Sequence, residues 1–272
     1  MCIRDSSKGG NGGFGGGGAD QSQFAGFGAG IGSSATDYPA SSLLGFPFYD
    51  GGGGLGAGGA VFVQAGGSLI VSGGSDSGDS AVGGAGGAGQ GEIVSAIRNG
   101  QGLGSGYFLQ GNQFITFAEM AGQKTVVSDV IADQTGSGGT GSNAGSGRVL
   151  ITGSGTVSLD ASNTYTGGTS IAGGTLDLAA AGAAGAGSID FINTVRATLQ
   201  IDSAALPNDT TLANPLSGFF SNKFLDLTGL TYGPNATATI TGNQLSVSDG
   251  NATDVIAPVS YTHLTLPTIC SV

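Results

Sequence analysis

The 272-residue chain contains no tryptophan, one histidine and two cysteines. The histidine, His263, and the cysteines, Cys2 and Cys270, all lie close to the two ends of the chain. The long stretch between them therefore cannot supply a histidine-dependent catalytic triad or a Cys/His metal site. Two cysteines in a secreted chain permit a disulfide, but we do not expect one between Cys2 and Cys270, for the reason given below for the two ends.

Positive charge and long apolar runs are also scarce. Seven lysine and arginine residues stand against 18 aspartate and glutamate residues, which gives a net charge of −11. Nucleic acids and anionic membranes bind clustered positive charge, so neither is expected as a partner. There is no run of about 18 apolar residues, and so no transmembrane helix is predicted. No G-x-G-x-x-G match opens a helix after a strand, and no P-loop occurs, so no cofactor is expected.

The two ends have the character of translated adapter DNA. Residues 1–6 can be encoded by ATG TGT ATA AGA GAC AGC, and residues 258–263 by CCT GTC TCT TAT ACA CAT. The run ATGTGTATAAGAGACAG is the reverse complement of CTGTCTCTTATACACAT, and the pair resembles a transposon end used in sequencing libraries. We therefore expect 1–6 and 258–272 to be scars that pack against nothing, and 7–257 to be an internal piece of a longer protein.

Glycine dominates the first part of what remains. It contributes 57 of the 272 residues, about three times its ordinary share. Because ordering glycine costs the most backbone entropy, segment 7–59 is predicted to be low-complexity coil. Segment 60–257 is predicted to be ordered β-structure. In it, residues 60–63 and 67–71 are predicted to be short strands around a Gly-Gly turn, and residues 72–91 a long loop.

Short strands of similar pattern follow along the chain, and no segment has helical periodicity; residues 179–186 are predicted to be loop. The predicted strands are 113–117, 125–127, 129–132, 155–159, 174–178, 187–191, 197–201, 223–227 and 243–247. Alternation with a period of two predicts one apolar, inward face: Val157, Leu159, Leu176, Leu178, Ile189, Phe191, Leu199, Ile201, Leu245 and Val247. The outward face is predicted to carry Ser158, Asp177, Asp190, Gln200 and Ser246.

Even spacing of short strands is typical of a sandwich or a solenoid. Two matching units begin at Gly155 and Gly174, 19 residues apart, which is close to the shortest solenoid repeats. A narrow solenoid interior also accounts for the few charges and aromatic side chains. The sequence therefore predicts an all-β protein with a parallel β-solenoid, best ordered over about 111–250.

Residues 153–178 read GSGTVSLDASNTYTGGTSIAGGTLDL and resemble the autotransporter-associated β-strand repeat. The residues that match its pattern are Gly155, Leu159, Asn163, Thr164, Tyr165, Thr166, Gly167, Gly168, Thr169, Ile171, Gly174, Thr175 and Leu176. The resemblance implies a right-handed parallel β-helix passenger that type V secretion carries to the cell surface. It also implies that the outer-membrane barrel of such proteins belongs in cis, at the C-terminal end of the full-length protein.

Three groups of residues are candidates for a functional site. The loop 163–169 is a possible ligand site, but a structural turn between coils is favoured, since Asn and Gly tolerate left-handed backbone. Asp129 and Asp133 are a possible acid/base pair, and solvated carboxylates are favoured instead. Asp76 and Asp79 are possible calcium ligands. They lack the G-G-x-G-x-D spacing of calcium-binding repeats, so a solvated loop is favoured.

The function predicted from these observations is a structural or adhesive surface stalk that is not an enzyme. Its ligand, on a host or neighbouring cell, is unknown, and its open strand edges predict self-association. One alternative is a fragment of a β-helix polysaccharide-degrading enzyme, which needs acidic and basic residues in one groove. The basic residues are instead spread singly, at Arg98, Lys124, Arg148, Arg196 and Lys223. Another alternative, a glycine-rich structural cell-wall protein, fits only the N-terminal segment.

Overall fold

The computed structural model describes residues 25–31, 51–87, 99–207, 211–231, 233–257 and 259. Segment 1–6, most of 258–272 and part of 7–59 lie outside the described residues. Within the described ranges the chain is all-β, with one 3-10 turn, η1 (Gly141–Asn143), and no α-helix. No helix in these ranges has the length and apolar character needed to cross a membrane.

Twenty-one strands make up the described fold, most of them three to six residues long. The first eleven are β1 (Gly56–Ala57), β2 (Val61–Val63), β3 (Leu69–Val71), β4 (Ser75–Asp76), β5 (Gly102–Leu103), β6 (Tyr107–Leu109), β7 (Phe114–Glu119), β8 (Lys124–Val127), β9 (Ile131–Asp133), β10 (Arg148–Gly153) and β11 (Thr156–Leu159). The others are β12 (Thr169–Ile171), β13 (Gly174–Leu178), β14 (Ile189–Phe191), β15 (Ala197–Ile201), β16 (Thr211–Leu212), β17 (Leu216–Ser217), β18 (Lys223–Leu227), β19 (Thr237–Thr241), β20 (Gln244–Ser248) and β21 (Thr253–Ile256).

Two six-stranded sheets form the body of the fold. One has the order β17-β14-β12-β10-β7-β3, and the other has the order β18-β15-β13-β11-β8-β4. Every neighbouring pair in both sheets is parallel. A third parallel sheet, β2-β6-β9, accompanies the first part. The chain thus visits the sheets in turn, an architecture compatible with the predicted β-solenoid. β3 and β4 already belong to the two long sheets, before the part at about 111–250 that is predicted to be best ordered, and β4 lies within the predicted loop 72–91.

The spacing of the predicted repeat equals one passage through the sheets. Val157 on β11 pairs with Leu176 on β13, 19 residues later. Val149 on β10 pairs with Thr169 on β12, 20 residues later. The predicted inward residues are buried between the sheets, apart from Val247, which is half-buried. The loop predicted at 179–186 is confirmed, since no strand or helix occurs there.

The last three strands differ from the predicted parallel arrangement. β20 pairs antiparallel with both β19 and β21, and only β21 pairs parallel, with β16. Gly242 has φ +62° in the two-residue connection between β19 and β20. A short connection with this geometry directs the chain into a hairpin, so local pairing prevails over stacking. Leu245 is nevertheless buried, as predicted, on the face that meets the rest of the core.

The described glycine-rich segments are packed, although 7–59 is predicted to be coil and 72–91 a loop. Extended stretches from residues 25–31, 51–58, 80–87 and 99–103 lie side by side, joined by backbone hydrogen bonds of 2.6–2.9 Å. These bonds run from Gly30 to Gly53, from Gly84 to Gly54, from Gly100 to Gly84 and from Gln101 to Gly28. We call this group of segments the glycine layer.

Close backbone approach explains why glycine fills this layer. A Cβ built on Gly53 would lie 1.8 Å from the carbonyl oxygen of Gly84. A Cβ on Gly100 would lie 1.8 Å from that of Gly54. Only glycine tolerates such an approach, as in collagen, where the residue at the crowded axis must lack a side chain. The entropy cost of ordering glycine is therefore offset here by contacts that other residues cannot make.

Val259 lies in the segment predicted to pack against nothing, and at this residue the prediction is wrong. It is 3% exposed and forms a parallel bridge with Leu216. Its N–H donates to the carbonyl oxygen of Asn243 over 2.7 Å. Burial of an apolar side chain at the edge of a core stabilises the fold, and this holds equally for a residue encoded by adapter DNA.

Candidate functional site: the repeat turn and an acidic cluster

The residues of the repeat lie on three strands and one turn. Leu159 closes β11, the segment 160–168 forms the turn, Thr169 opens β12, and Leu176 lies on β13. The side chains of Leu159 and Leu176 are fully buried. Thr175 pairs with Thr156 on the preceding strand. The motif thus spans one full passage of the chain, from β11 in one coil to β13 in the next, and its two ends stack on each other.

Asn163 connects three successive coils through its side chain. Its Oδ1 accepts the N–H of Ile131 over 2.7 Å, and its Nδ2 donates to the carbonyl oxygen of Ala183 over 2.7 Å. The next residue, Thr164, donates its N–H to the carbonyl oxygen of Ile131 over 3.0 Å. Asn163 does not use the left-handed backbone that asparagine tolerates, whereas Asn222 does, with φ +68°. Asparagine is needed here because its amide both donates and accepts.

Tyr165 fills the interior directly behind this turn. The ring is completely buried, and its hydroxyl shares a 2.6 Å hydrogen bond with Oγ1 of Thr169. Burial raises the pKa of Tyr165 well above its ordinary value, and the bond to Thr169 lowers it only partly. The tyrosine is therefore neutral throughout the physiological range and acts as a core residue with a satisfied polar end.

Asp133 anchors the turn from the preceding coil. It is fully buried, and its two oxygens accept from the N–H groups of Gly136, Gly147 and Thr166 and from Oγ1 of Thr166, over 2.6–2.9 Å. The predicted solvated carboxylate is therefore wrong. The donors come from three separate segments, so local sequence gives no sign of this arrangement beyond the Asp-x-x-Gly turn. The hydrogen-bond partners of Asp133 differ from the N–H of Asp79 that Asp129 accepts.

The motif glycines allow the coils to approach one another. A Cβ on Gly155 would lie 2.3 Å from the carbonyl oxygen of Met120, and one on Gly167 would lie 2.4 Å from that of Gly147. Gly168 and Gly174 have φ values of +88° and +70°, which side chains disfavour. The side chains of Asn163, Tyr165, Thr166 and Thr169 bond to other parts of the chain itself. The arrangement can hold coils in register, and the favoured interpretation of 163–169 as a turn agrees with it.

A second polar group lies on the face opposite the core, around Asp177. Its carboxylate accepts from Lys124 Nζ over 3.1 Å, from Ser158 Oγ over 2.9 Å and from Gln200 Nε2 over 3.2 Å. Asp177 is 2% exposed and Ser158 1%. The prediction that these residues face outward is therefore incomplete, because neighbouring side chains of the same ladder cover them. Stacked parallel strands bring these residues, from separate parts of the sequence, within bonding distance.

Three other carboxylates meet at one end of β4 and β8. One oxygen from each of Asp76, Asp79 and Asp129 lies within 4.8 Å of the others. Asp79 donates its N–H to Oδ2 of Asp129 over 2.8 Å. Asp76 is 9% exposed, and its Oδ2 is buried without a hydrogen-bond partner. The predicted solvated loop is therefore wrong for Asp76, and the spacing of Asp76 and Asp79 gave no sign that Asp129 completes the group.

The environment of this acidic cluster (Asp76, Asp79 and Asp129) shifts two pKa values. Burial raises the pKa of Asp76 to about 6, helped by hydrogen bonding with Asp79 and by the charges of Asp129 and Asp79. Burial also raises the pKa of Tyr107 to about 12, and the three carboxylates contribute further. Both shifts have the sign expected where negative charges are crowded with little water.

Comparison with known proteins bears on the repeat. Residues 152–178 match the family model described as passenger-associated-transport-repeat. None of the curated proteins and none of the solved structures compared with the chain matched it. The match covers the coil that Asn163, Tyr165 and Asp133 hold together. It supports an autotransporter passenger repeat at these residues, and with it a secreted protein of the cell surface.

Proposed function

We propose that residues 60–257 form part of an autotransporter passenger and act as a structural, adhesive stalk without catalytic activity. The observation that carries this proposal is the match at 152–178 to the passenger-associated-transport-repeat. It falls on β11, β12 and β13, which stack in register with the strands before and after them. Such stacking extends a chain lengthwise, which suits a projection from a surface.

Handedness and membrane attachment belong to the same proposal. Connections between parallel strands of one sheet are right-handed in nearly all proteins, so we propose a right-handed β-helix. We propose that the full-length protein is a type V secreted autotransporter, anchored to the outer membrane by a barrel in cis. The net charge of −11 favours partners other than nucleic acid.

Exposed aromatic side chains support an adhesive role. Phe114 is 47% exposed, with the guanidinium of Arg148 6.0 Å from its ring centroid. Phe224 is 44% exposed, with the guanidinium of Arg196 4.6 Å from its ring centroid. Aromatic and arginine side chains are enriched where proteins bind partners. We propose that this outer surface contacts a ligand on a host or neighbouring cell.

Surface display tests the passenger role. The full chain would be placed between the secretion leader and membrane anchor of a laboratory autotransporter, and protease-resistant protein on intact cells measured. We expect display of the wild-type chain and a clear loss with Asn163→Ala, because its amide connects three coils. Asn143→Ala, at an exposed position of η1, is the matched control. Retention of the wild-type chain inside the cell, or equal display of both variants, contradicts the proposal.

A separate assay tests the absence of catalysis. The purified chain would be incubated with a panel of polysaccharides and peptides, and released ends would be measured against a heat-treated sample. We expect no release above that background. Product formation that the native chain alone supports would favour the polysaccharide-degrading alternative over the stalk.

A further inference from the structure

We propose that Asp76, Asp79 and Asp129 bind a calcium ion that ties the coil of β4 to the coil of β8. The inference rests on the geometry of these residues and is independent of the role proposed for the repeat. It concerns a part of the chain that lies well outside the matched residues 152–178.

Parallel pairing brings the three carboxylates together. Asp76 on β4 pairs with Val127 on β8, so the segments that follow the two strands leave the sheet at the same end. Ser128 donates its N–H to the carbonyl oxygen of Asp76 over 2.8 Å, which fixes the two segments to each other. Asp79 and Asp129 lie just beyond this bond and are joined by the N–H of Asp79. Backbone pairing together with the Asp79–Asp129 hydrogen bond therefore holds the cluster in place.

The second observation is the unpartnered oxygen of Asp76. Its Oδ2 is buried and accepts no hydrogen bond, although the residue is only 9% exposed. An unsatisfied buried carboxylate oxygen is costly. Gly106 faces this oxygen, and a Cβ there would lie 2.7 Å from it. The glycine thus leaves open the side of the cluster toward which Oδ2 is directed.

Charge and distance both fit one cation. Among the described residues, the ion pair between Lys124 and Asp177 lies outside the acidic cluster. No described basic side chain forms an ion pair with Asp76, Asp79 or Asp129. The three ligand atoms lie within 4.8 Å of one another. Oxygens on opposite sides of a calcium ion, each at about 2.4 Å, are about 4.8 Å apart.

The chemistry of the donors selects the kind of ion. A set made only of carboxylate oxygens suits calcium, magnesium or manganese rather than zinc or copper. Magnesium requires a near-ideal octahedron with shorter bonds, whereas calcium accepts irregular oxygen ligands and completes its shell with water. Asp76 ends strand β4, whereas Asp79 and Asp129 lie in the irregular segments that follow β4 and β8, which suits the more tolerant ion.

Terbium luminescence tests binding directly. Terbium replaces calcium at oxygen sites and is excited by a nearby tyrosine, here Tyr107, which directly follows Gly106. With the full chain we expect a saturable signal that calcium displaces. Asp129→Asn should weaken terbium binding at least about tenfold, since it removes one charged ligand. Asp226→Asn, a half-buried aspartate on β18, removes the same charge elsewhere and should leave binding unchanged.

Thermal unfolding provides the second measurement. Calcium at about 5 mM, against a chelator, should raise the Tm of the wild-type chain and of Asp226→Asn by roughly 5 °C. Asp79→Asn and Asp129→Asn should lose this rise. Both variants should still fold in chelator, since each relieves repulsion in the empty cluster, and circular dichroism checks this. No calcium-dependent rise in the wild-type chain, an equal rise in the two cluster variants, or an equal rise with magnesium would overturn the calcium site.

Discussion

Val157 and Leu176 are direct neighbours on the parallel strands β11 and β13, and neither side chain is exposed to solvent. Leu176 pairs in turn with Leu199 on β15. The three residues form a continuous apolar column through successive coils. Because each coil contributes one member, the stability of any coil depends on its two neighbours.

Leu176→Asp should unfold the repeat coil. The substitution puts a carboxylate between Val157 and Leu199, where no donor or cation is available to it. The free energy of unfolding should fall by at least about 3 kcal/mol, a large share of the stability of an ordinary domain. Urea unfolding followed by circular dichroism measures this. Thr198→Asp, at a half-buried position of β15, is the control, and similar midpoints for the two variants would contradict the apolar column.

Asn163→Ala should lower the free energy of unfolding, because the substitution removes two hydrogen bonds between coils. It leaves the N–H of Ile131 and the carbonyl oxygen of Ala183 without partners inside the fold. Each such group costs about 1–3 kcal/mol, so the free energy of unfolding should fall by about 2–6 kcal/mol. Asn143→Ala should change it by less than about 0.5 kcal/mol. Equal melting temperatures for the two purified variants would show that the amide of Asn163 does not hold the coils.

Gly53→Ala should disrupt the glycine layer. The added methyl would lie 1.8 Å from the carbonyl oxygen of Gly84 and 2.7 Å from the nitrogen of Gly100, and neither is part of a flexible side chain. Backbone shifts of this kind cost about 1–3 kcal/mol or more. Gly233→Ala meets no atom within 4 Å and should be neutral or slightly stabilising. Hydrogen exchange of segments 51–58 and 80–87 measures the effect, and unchanged protection would mean that these segments do not pack as described.

Tyr165 should make the fold sensitive to alkaline pH. Burial raises its folded-state pKa above the unfolded value of 10.0, so the folded protein keeps the proton that the unfolded chain loses. Its contribution is therefore fully present below about pH 10 and falls as the pH rises toward the folded-state pKa. Tyr165→Phe should lose roughly 1 kcal/mol at neutral pH, with the bond to Thr169. It should also show a shallower loss of stability above pH 10, and an unchanged slope would contradict the burial of the hydroxyl.

The edge of β18 should promote self-association. β18 pairs with β15 on one side, and the described residues place no strand on its other side. Such an edge is a template for pairing with a second copy. Size-exclusion chromatography over a range of concentrations should show oligomers that Phe224→Glu reduces, because it adds an exposed charge to this edge. Phe114→Glu, at an equally exposed position of the inner strand β7, should not. A wild-type chain that remains monomeric throughout would count against this edge.

The sequence alone predicted much of the fold from two local patterns. Alternation with a period of two identified the strands that contain Val157, Leu176 and Leu199. The 19-residue spacing between the units at Gly155 and Gly174 placed the first two of these strands in successive coils. Both patterns act through neighbouring residues, so they can be detected without coordinates. Strands β10 and β12 were not predicted, because each is flanked by glycine turns and the second overlaps the N-T-Y-T-G-G-T motif.

The polar sites could not be predicted in the same way. Asp133 and Asp177 gather partners from distant segments, and the acidic cluster joins residues from two coils, Asp76 and Asp79 with Asp129. Which side chains meet depends on the register between coils, and loops of unequal length change the sequence distance from one coil to the next. The packing of the glycine layer could not be predicted from the sequence either. The sequence determined that residues 51–54 are glycine and have no side chains, whereas only tertiary packing decided that backbones would fill the space, because glycine permits both coil and close approach.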